Sequence, residues 1–213
     1  MGKSKELATL TDAGASISGN LQIDTGSGYN ILQIGADNST GYHLVNELNG
    51  LNIFQGAVGA GSKHLGIDSS GRVTMPYQPS FNIYQSGPWS LTAGVWGQNV
   101  NLDTARHNVG NHFNTSNGSF TAPISGKYLL TYISHFNSST PSYFYSGIQI
   151  NGGFEVYLFG YNAAVSGGDN TFGGSTILHI NANDVVTFWN YDGDGGTIGH
   201  GYQRTHASGH LIG

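Results

Sequence analysis

Residues 117–136, NGSFTAPISGKYLLTYISHF, constrain the fold more than any other stretch of the chain. A glycine-containing turn leads into Phe120. Pro123 and Gly126 then punctuate the chain, and alternation begins at Tyr128. Proline cannot donate to a strand ladder, and glycine allows the turn that follows. Tyr128, Leu130, Tyr132 and Phe136 then fall on one face, with Leu129, Thr131 and Ile133 on the other. A period of two is a strand signature. The run predicts a short strand, a tight corner and a long core strand.

The same reading extends in both directions. Helical periodicity is nearly missing, and a short helix is expected only at 4–10. Short alternating runs at 21–24, 30–34, 43–45, 51–54, 64–67 and 72–75 are separated by glycine-containing turns, which predicts an all-β unit. These strands carry few large apolar residues, so three chains pooling them would close a core more readily than one. A small monomeric sandwich is the alternative. Near Met75 the composition shifts. PYQPSF, with Pro76 and Pro79, reads as a stiff connector. Beyond it longer strands are expected at 127–136, 143–150, 154–161, 175–180 and 184–191. The predicted organisation is a short-stranded β shaft at 1–75 and a sandwich head at 76–213. Several of the longer strands are apolar on both faces, whereas a sandwich strand needs only one apolar face. A neighbouring subunit or a ligand is expected to cover the second face.

Composition removes several functions. Hydrophobic residues make up 38% and aromatic residues 12%, in alternating runs, so the 34 glycines do not signal disorder. A net charge of -5 with Arg106, Lys127 and Arg204 isolated from one another argues against nucleic-acid binding. No apolar run reaches the ~18 residues of a membrane helix, so no membrane insertion is expected. The opening MGKSKELATL lacks the apolar region of a signal peptide, so a virion or extracellular location would be reached by lysis or on a particle. With 0 cysteines there is no disulfide and no thiol nucleophile.

The second half of the chain resembles the globular head of complement component 1q, a fold shared with the tumour necrosis factor family. The family's Gly-x-Phe-x-x-Pro-x-x-Gly-x-Tyr pattern is carried here by Gly118, Phe120, Pro123, Gly126 and Tyr128. Phe81 in QPSFNIYQSG stands where the opening strand belongs. Asn151-Gly152 matches a hairpin, and Asn183-Asp184 stands where the family has Gly-Asp. The closing ASGHLIG, with Ser208, Gly209 and Leu211, resembles the final strand, although His206 replaces an aromatic and the last aromatic is absent. The resemblance covers about residues 79–213 and implies a ten-strand jelly-roll sandwich that forms a homotrimer. LATLTDAGASISGNLQID and HLGIDSSGRVTMPYQPSF resemble phage and environmental-virus tail-fibre segments that precede a distal head.

Together these readings predict the receptor-binding tip of a viral tail fibre, attached to a host cell-surface glycan or protein. A structural virion decoration and a polysaccharide-degrading tail protein are the alternatives. The head loops expected at 137–145, 160–171 and 192–201 mix Tyr, Ser, Gly and Asn, a composition of adaptable recognition surfaces. Tyr143, Tyr145, Tyr157 and Tyr161 are the candidate ligand-binding residues, because ring faces stack on sugar C–H groups; packing or a subunit interface is the competing role. Asp192 and Asp194 in NYDGDGG are candidate calcium ligands at i and i+2, without the full calcium-loop pattern. No other cofactor is expected. The 9 histidines include the pairs His107/His112 and His206/His210, whose spacings make no single-chain metal site. The head's carboxylates (Asp103, Glu155, Asp169, Asp184, Asp192 and Asp194) form no recognisable acid–base set, and no Gly-x-Ser-x-Gly elbow occurs. No enzyme is expected.

Overall fold

In the computed structural model, residues 30–34, 42–47, 50–56, 62–136, 143–161 and 170–213 are described. The short helix expected at 4–10 and the strand at 21–24 lie outside them. The chain divides into two compact units, Met1–Pro76 and Tyr77–Gly213.

The first unit is one antiparallel sheet in sequence order: β1 (Asn30–Ile34), β2 (Tyr42–Glu47), β3 (Gly50–Gln55), β4 (Ser62–Ile67) and β5 (Val73–Thr74). The turn between β4 and β5 is fixed by Asp68. Its Oδ1 accepts the Ser70 and Arg72 amides, and its Oδ2 meets Arg72 Nε at 2.6 Å. The Arg72 amide and guanidinium hold the exposed Asp68 carboxyl below its usual range.

The second unit is a two-sheet sandwich. Its strands are β6 (Ser80–Gln85), β7 (Trp89–Leu91), β8 (Gly97–Gln98), β9 (Leu102–Asn108), β10 (Phe113–Asn114), β11 (Ser119–Thr121) and β12 (Gly126–Phe136). There follow β13 (Phe144–Ile150), β14 (Gly153–Tyr161), β15 (Asn170–Ile180), β16 (Val185–Asp192), β17 (Gly196–Ile198) and β18 (His206–Leu211). One sheet runs β7-β17-β12-β18-β6-β9, with β15 on the other edge of β12. The other runs β10-β11-β16-β13-β14, with β8 paired to β16. Each sheet interleaves strands distant in sequence, which is the jelly-roll arrangement.

The alternation in β12 sets the packing. Tyr128, Leu130, Tyr132 and Phe136 are wholly buried, whereas Leu129 is 39% exposed. Facing them from the second sheet are Phe120, Ile148, Val186 and Phe188. Phe81 is the hub of the aromatic core, with ring centroids 4.9 Å from Phe113 and 4.8 Å from Phe120. Offset ring pairs of this kind add to the burial of large apolar area. A smaller cluster of Leu91, Phe136, Phe144 and Ile198 closes the other end of the sandwich. Asn151 and Gly152 both take positive φ, 51° and 83°, and turn β13 into β14. This is the two-residue hairpin geometry that an Asn-Gly pair favours.

A chain of buried side-chain hydrogen bonds crosses the sandwich. Ser134 Oγ donates to Asn190 Oδ1 (2.9 Å), and Asn190 Nδ2 donates to the Tyr132 hydroxyl (2.6 Å). Asn99 Nδ2 donates to the same hydroxyl and to Gln85 Oε1, both at 3.0 Å. Gln85 Nε2 ends the chain on the carbonyls of Ile198 and Gly87. All five side chains are fully buried. Burial pushes the Tyr132 phenol up from its ordinary value, against the hydrogen bonds from Ser134, Asn99 and Asn190. Such a network holds a unique register between sheets, because each unmade bond inside the core is costly.

Candidate functional site

The outward face of the sheet containing β13, β14 and β16 carries a cluster of rings. Side chains on one face of neighbouring strands lie opposite one another. Tyr145 of β13 stands opposite Tyr191 of β16, and Gly147 lies between Trp189 of β16 and Tyr157 of β14. Gln149 faces Phe154 across the β13–β14 pairing. Trp96, from the segment before β8, reaches over this face. Its ring centroid lies 4.4 Å from Phe154, 5.5 Å from Tyr191 and 5.6 Å from Tyr157, nearly parallel to the last at 12°. Trp96, Tyr143, Tyr145, Tyr157 and Tyr191 line an open groove with a cavity volume of about 540 Å³.

Two glycines make room for the rings. A Cβ at Gly160 would meet the Tyr145 ring at 2.8 Å. One at Gly147 would meet the Val156 carbonyl at 2.9 Å and the Tyr157 ring at 3.3 Å. The rings therefore lie close against the backbone where glycine leaves the sheet bare.

Trp96 is held from both sides along β16. The Gly94 amide donates to the Asp192 carbonyl (2.8 Å), and the Asn99 amide donates to the Phe188 carbonyl (2.8 Å). Between these anchors, β8 pairs Gly97 with Asn190 and Gln98 with Trp189. The Asn99 side chain is the plug that joins this segment to the buried network. Tyr143 is tied to the same strand end, since its carbonyl accepts from the Gly193 amide at 2.9 Å. Among the described residues, no hydrogen bond occupies the hydroxyls of Tyr143, Tyr145, Tyr157 or Tyr191.

Of the expected ligand-binding residues, the groove brings together Tyr143, Tyr145 and Tyr157. The side chain of Tyr161, at the end of β14, lies outside the described residues, as do the loop segments 137–142 and 162–169. Tyr145 and Tyr157 stand on β13 and β14, within the strands expected at 143–150 and 154–161, so the groove is built on a sheet face; Tyr143 joins it from the expected 137–145 loop. Sequence reasoning missed Trp96, Phe154, Trp189 and Tyr191. Trp189 and Tyr191 were within reach, because they alternate with the core residues Phe188 and Asn190 along β16. Trp96 carries no such periodic signal.

Asp192 ends β16 with its carboxyl buried rather than projecting from a loop. Its Oδ1 accepts the Asp194 amide (3.0 Å), and its Oδ2 is buried with no hydrogen-bond partner among the described residues. Burial first, and the Asp194 charge after it, raise the Asp192 carboxyl above its ordinary value. Among the described residues, no three His, Asp or Glu side chains gather into a metal-ligand group. Asp192 and Asp194 supply two carboxylates against the six to eight oxygens calcium takes. Backbone carbonyls, water or another copy of the chain would have to supply the rest.

On the opposite sheet, the outward face is of another kind. Leu129 pairs with Ile177, Thr131 with Ser175, and Ile133 with Gly173. Thr131 and Ser175 share a hydroxyl hydrogen bond of 2.7 Å. Across β18 the same rows continue to His210, Ser208 and His206. His206 is held below its ordinary value by burial and then by Arg106, whose guanidinium lies 5.2 Å above the Tyr202 ring. No helix among the described residues is long and apolar enough to cross a membrane.

Among curated proteins, none matches the chain in sequence. Among solved structures, the globular domain of zebrafish complement 1qA is 13% identical, with a TM-score of 0.47 over 64% of this chain and 98% of that one. Murine APRIL at pH 8.0 is 13% identical, with a TM-score of 0.48 over 63% of this chain and 99% of that one. The PRD1 vertex protein P5 is 18% identical, with a TM-score of 0.46 over 64% of this chain and 99% of that one. The family model for the C1q domain matches residues 90–212. That span holds the Phe120–Tyr128 corner, the Asn-Gly hairpin and both sandwich sheets from β8 to β18, and it is more than half of the chain: the protein belongs to the C1q domain family.

Proposed function

We propose that the chain is the receptor-binding head of a homotrimeric viral attachment protein, and that it holds a host cell-surface ligand in the aromatic groove. The groove is the observation that carries this reading. Five rings converge on one concave surface, and four of them end in a phenol. Ligand sites are concave, mostly apolar and aromatic, with a few polar groups that fix orientation. An outward sheet face that met only water would instead be polar. Tyr157 is 59% exposed, a large ring presented to solvent rather than packed away.

The viral setting rests on the resemblance of residues 1–75 to tail-fibre segments. The trimer is supported by the opposite sheet, where the paired Leu129 and Ile177 are 39% and 56% exposed. A second copy would cover that strip, and three copies would present three grooves to one cell. Multivalent engagement then strengthens individually weak sites. Among the described residues, no carboxylate lines the groove, which favours binding over hydrolysis.

The test is competition. Saturating full-length chain, confirmed as a trimer by light scattering, is expected to bind host cells and block particle adsorption. Undiminished adsorption at saturation would remove the receptor-binding reading and leave a structural decoration.

A further inference from the structure

Given that attachment reading, we propose that the groove takes an uncharged oligosaccharide held against its cluster of rings, rather than an anionic sugar or a peptide. Charge decides the first part. The lining residues Trp96, Tyr143, Tyr145, Tyr157 and Tyr191 include no cation. A sialylated, uronic or sulfated sugar would bring an anion onto ring faces that are themselves electron-rich. Its hydration would be lost with no guanidinium or ammonium among the described lining residues in return, and an unpaired desolvated charge is costly. The chain as a whole carries a net charge of -5, so the surrounding field also repels anions. A neutral pyranose has the opposite character. Its C–H face is weakly positive and meets the rings, while its rim of hydroxyls meets the four phenols.

Backbone pairing decides against a peptide in β-strand form, which binds by adding to an unpaired sheet edge. A polyproline-type peptide, which docks on aromatic grooves, is the outcome that protease treatment of the cells tests below. The groove stands on a sheet face: β13 is paired to β14 on one side and to β16 on the other. A peptide strand laid there would leave its own amides unmatched. A sugar chain has no such ladder to satisfy.

The rings also cluster about Trp96, whose centroid lies 4.4 Å from Phe154, 5.5 Å from Tyr191, 5.6 Å from Tyr157 and 6.3 Å from Tyr145. The open cavity of about 540 Å³ lies within the size range of sites for ligands larger than one pyranose, so consecutive sugar units are the ligand rather than a single terminal residue.

The test applies the full-length trimer to an array of neutral and anionic oligosaccharides of matched lengths, at low and high salt. Neutral oligomers are expected to bind better than their monosaccharides, with little salt dependence. Trp96→Ala and the exposed Tyr157→Ala are each expected to weaken that binding about tenfold or more. Tyr157→Ala guards against a folding defect in the first variant. A preference for anionic glycans that salt weakens would overturn the neutral-sugar assignment and leave attachment standing. So would cell binding that protease treatment of the cells abolishes, with no glycan bound. Neutral-glycan binding unchanged in both variants would move the site elsewhere. Failure to bind cells as well as glycans would instead remove the attachment reading itself.

Discussion

The two outward faces of the head share one architecture and one period of two, yet they carry different chemistry. The β13–β14–β16 face collects Trp96, Tyr145, Phe154, Tyr157 and Tyr191 into a concave surface tipped with hydroxyls. The β12–β15–β18 face sets the aliphatic pair Leu129–Ile177 beside Thr131–Ser175 and a row of histidines. Apolar character at outward positions therefore does not by itself say what covers a face. Aliphatic residues without polar tips suit a dry contact between copies. Rings with hydroxyls suit a ligand that must be both stacked on and hydrogen-bonded.

The largest expected effect breaks the aliphatic face. Ile177→Asp should convert a species of three times 22.5 kDa into a monomer, read by light scattering. Cell binding should then fall by about 10²–10⁴ through lost multivalency, with each groove intact. A trimer that survives the substitution would move the subunit contact off this face. Next comes the groove. Trp96→Ala should cost about 2 kcal/mol of binding, some thirtyfold, with the trimer mass unchanged. Together the two variants separate assembly from recognition, and equal effects of both on mass would erase the distinction between the faces.

Asn99→Ala sharpens the comparison from inside the core. It strips the Tyr132 hydroxyl and Gln85 of a donor, which should cost about 1–3 kcal/mol of stability. It also frees one anchor of the Trp96 segment, so ligand affinity should drop while Ile177-dependent assembly persists. Acrylamide quenching of Trp96, with Trp89 and Trp189 replaced by Phe, would report the loosening; unchanged quenching would show that β8 pairing alone holds the ring.

Asp192→Asn gives a smaller, pH-dependent effect. Burial raises the folded-state carboxyl above 3.8, so the folded protein prefers the protonated form. The stability this preference contributes is complete below the unfolded-state value and is lost as pH rises through the folded-state value. The Asn variant, which cannot ionise, should melt higher than the natural chain at neutral pH. The advantage should shrink as pH falls toward 3.8. A constant difference across pH would place the effect on packing instead. His206 runs the other way. Its lowered value means stability present above the unfolded-state value of 6.5 is lost as pH falls through the folded-state value, and His206→Gln should flatten that acid limb. Least of all, a calcium ion on Asp192 and Asp194 would raise the melting temperature of the natural chain and not of Asp192→Asn. Equal melting in calcium and in chelator would remove the ion from the head.

Much of the fold was legible because strand periodicity is a local property. Tyr128, Leu130, Tyr132 and Phe136 announced a buried face by spacing alone, and all four are buried. Asn151-Gly152 announced its hairpin because few residue pairs accept two positive φ values in succession. Tyr145 and Tyr157 fall within the strands expected at 143–150 and 154–161, but their meeting with Trp96 across the sheet face was not legible. The acidic, glycine-rich NYDGDGG run makes Asp192 a candidate calcium ligand on a loop, whereas the structure places it at the end of a strand. Its position opposite Phe144 in the β13–β16 ladder turns the carboxyl inward.

The sequence by itself determined an all-β chain, the corner at Pro123–Gly126, the C1q-like head and the absence of a thiol or a recognisable acid–base set. Those follow from residue type and short-range spacing, which each segment carries with it. Only the tertiary structure decided that Trp96 meets Tyr145, Phe154, Tyr157 and Tyr191. That meeting depends on which strands neighbour one another, on bare glycines at 147 and 160, and on a buried Asn99 that hydrogen-bonds to Tyr132 and Gln85. Cross-strand partners far apart in the chain are chosen by the free energy of the whole sandwich, and no local pattern encodes them.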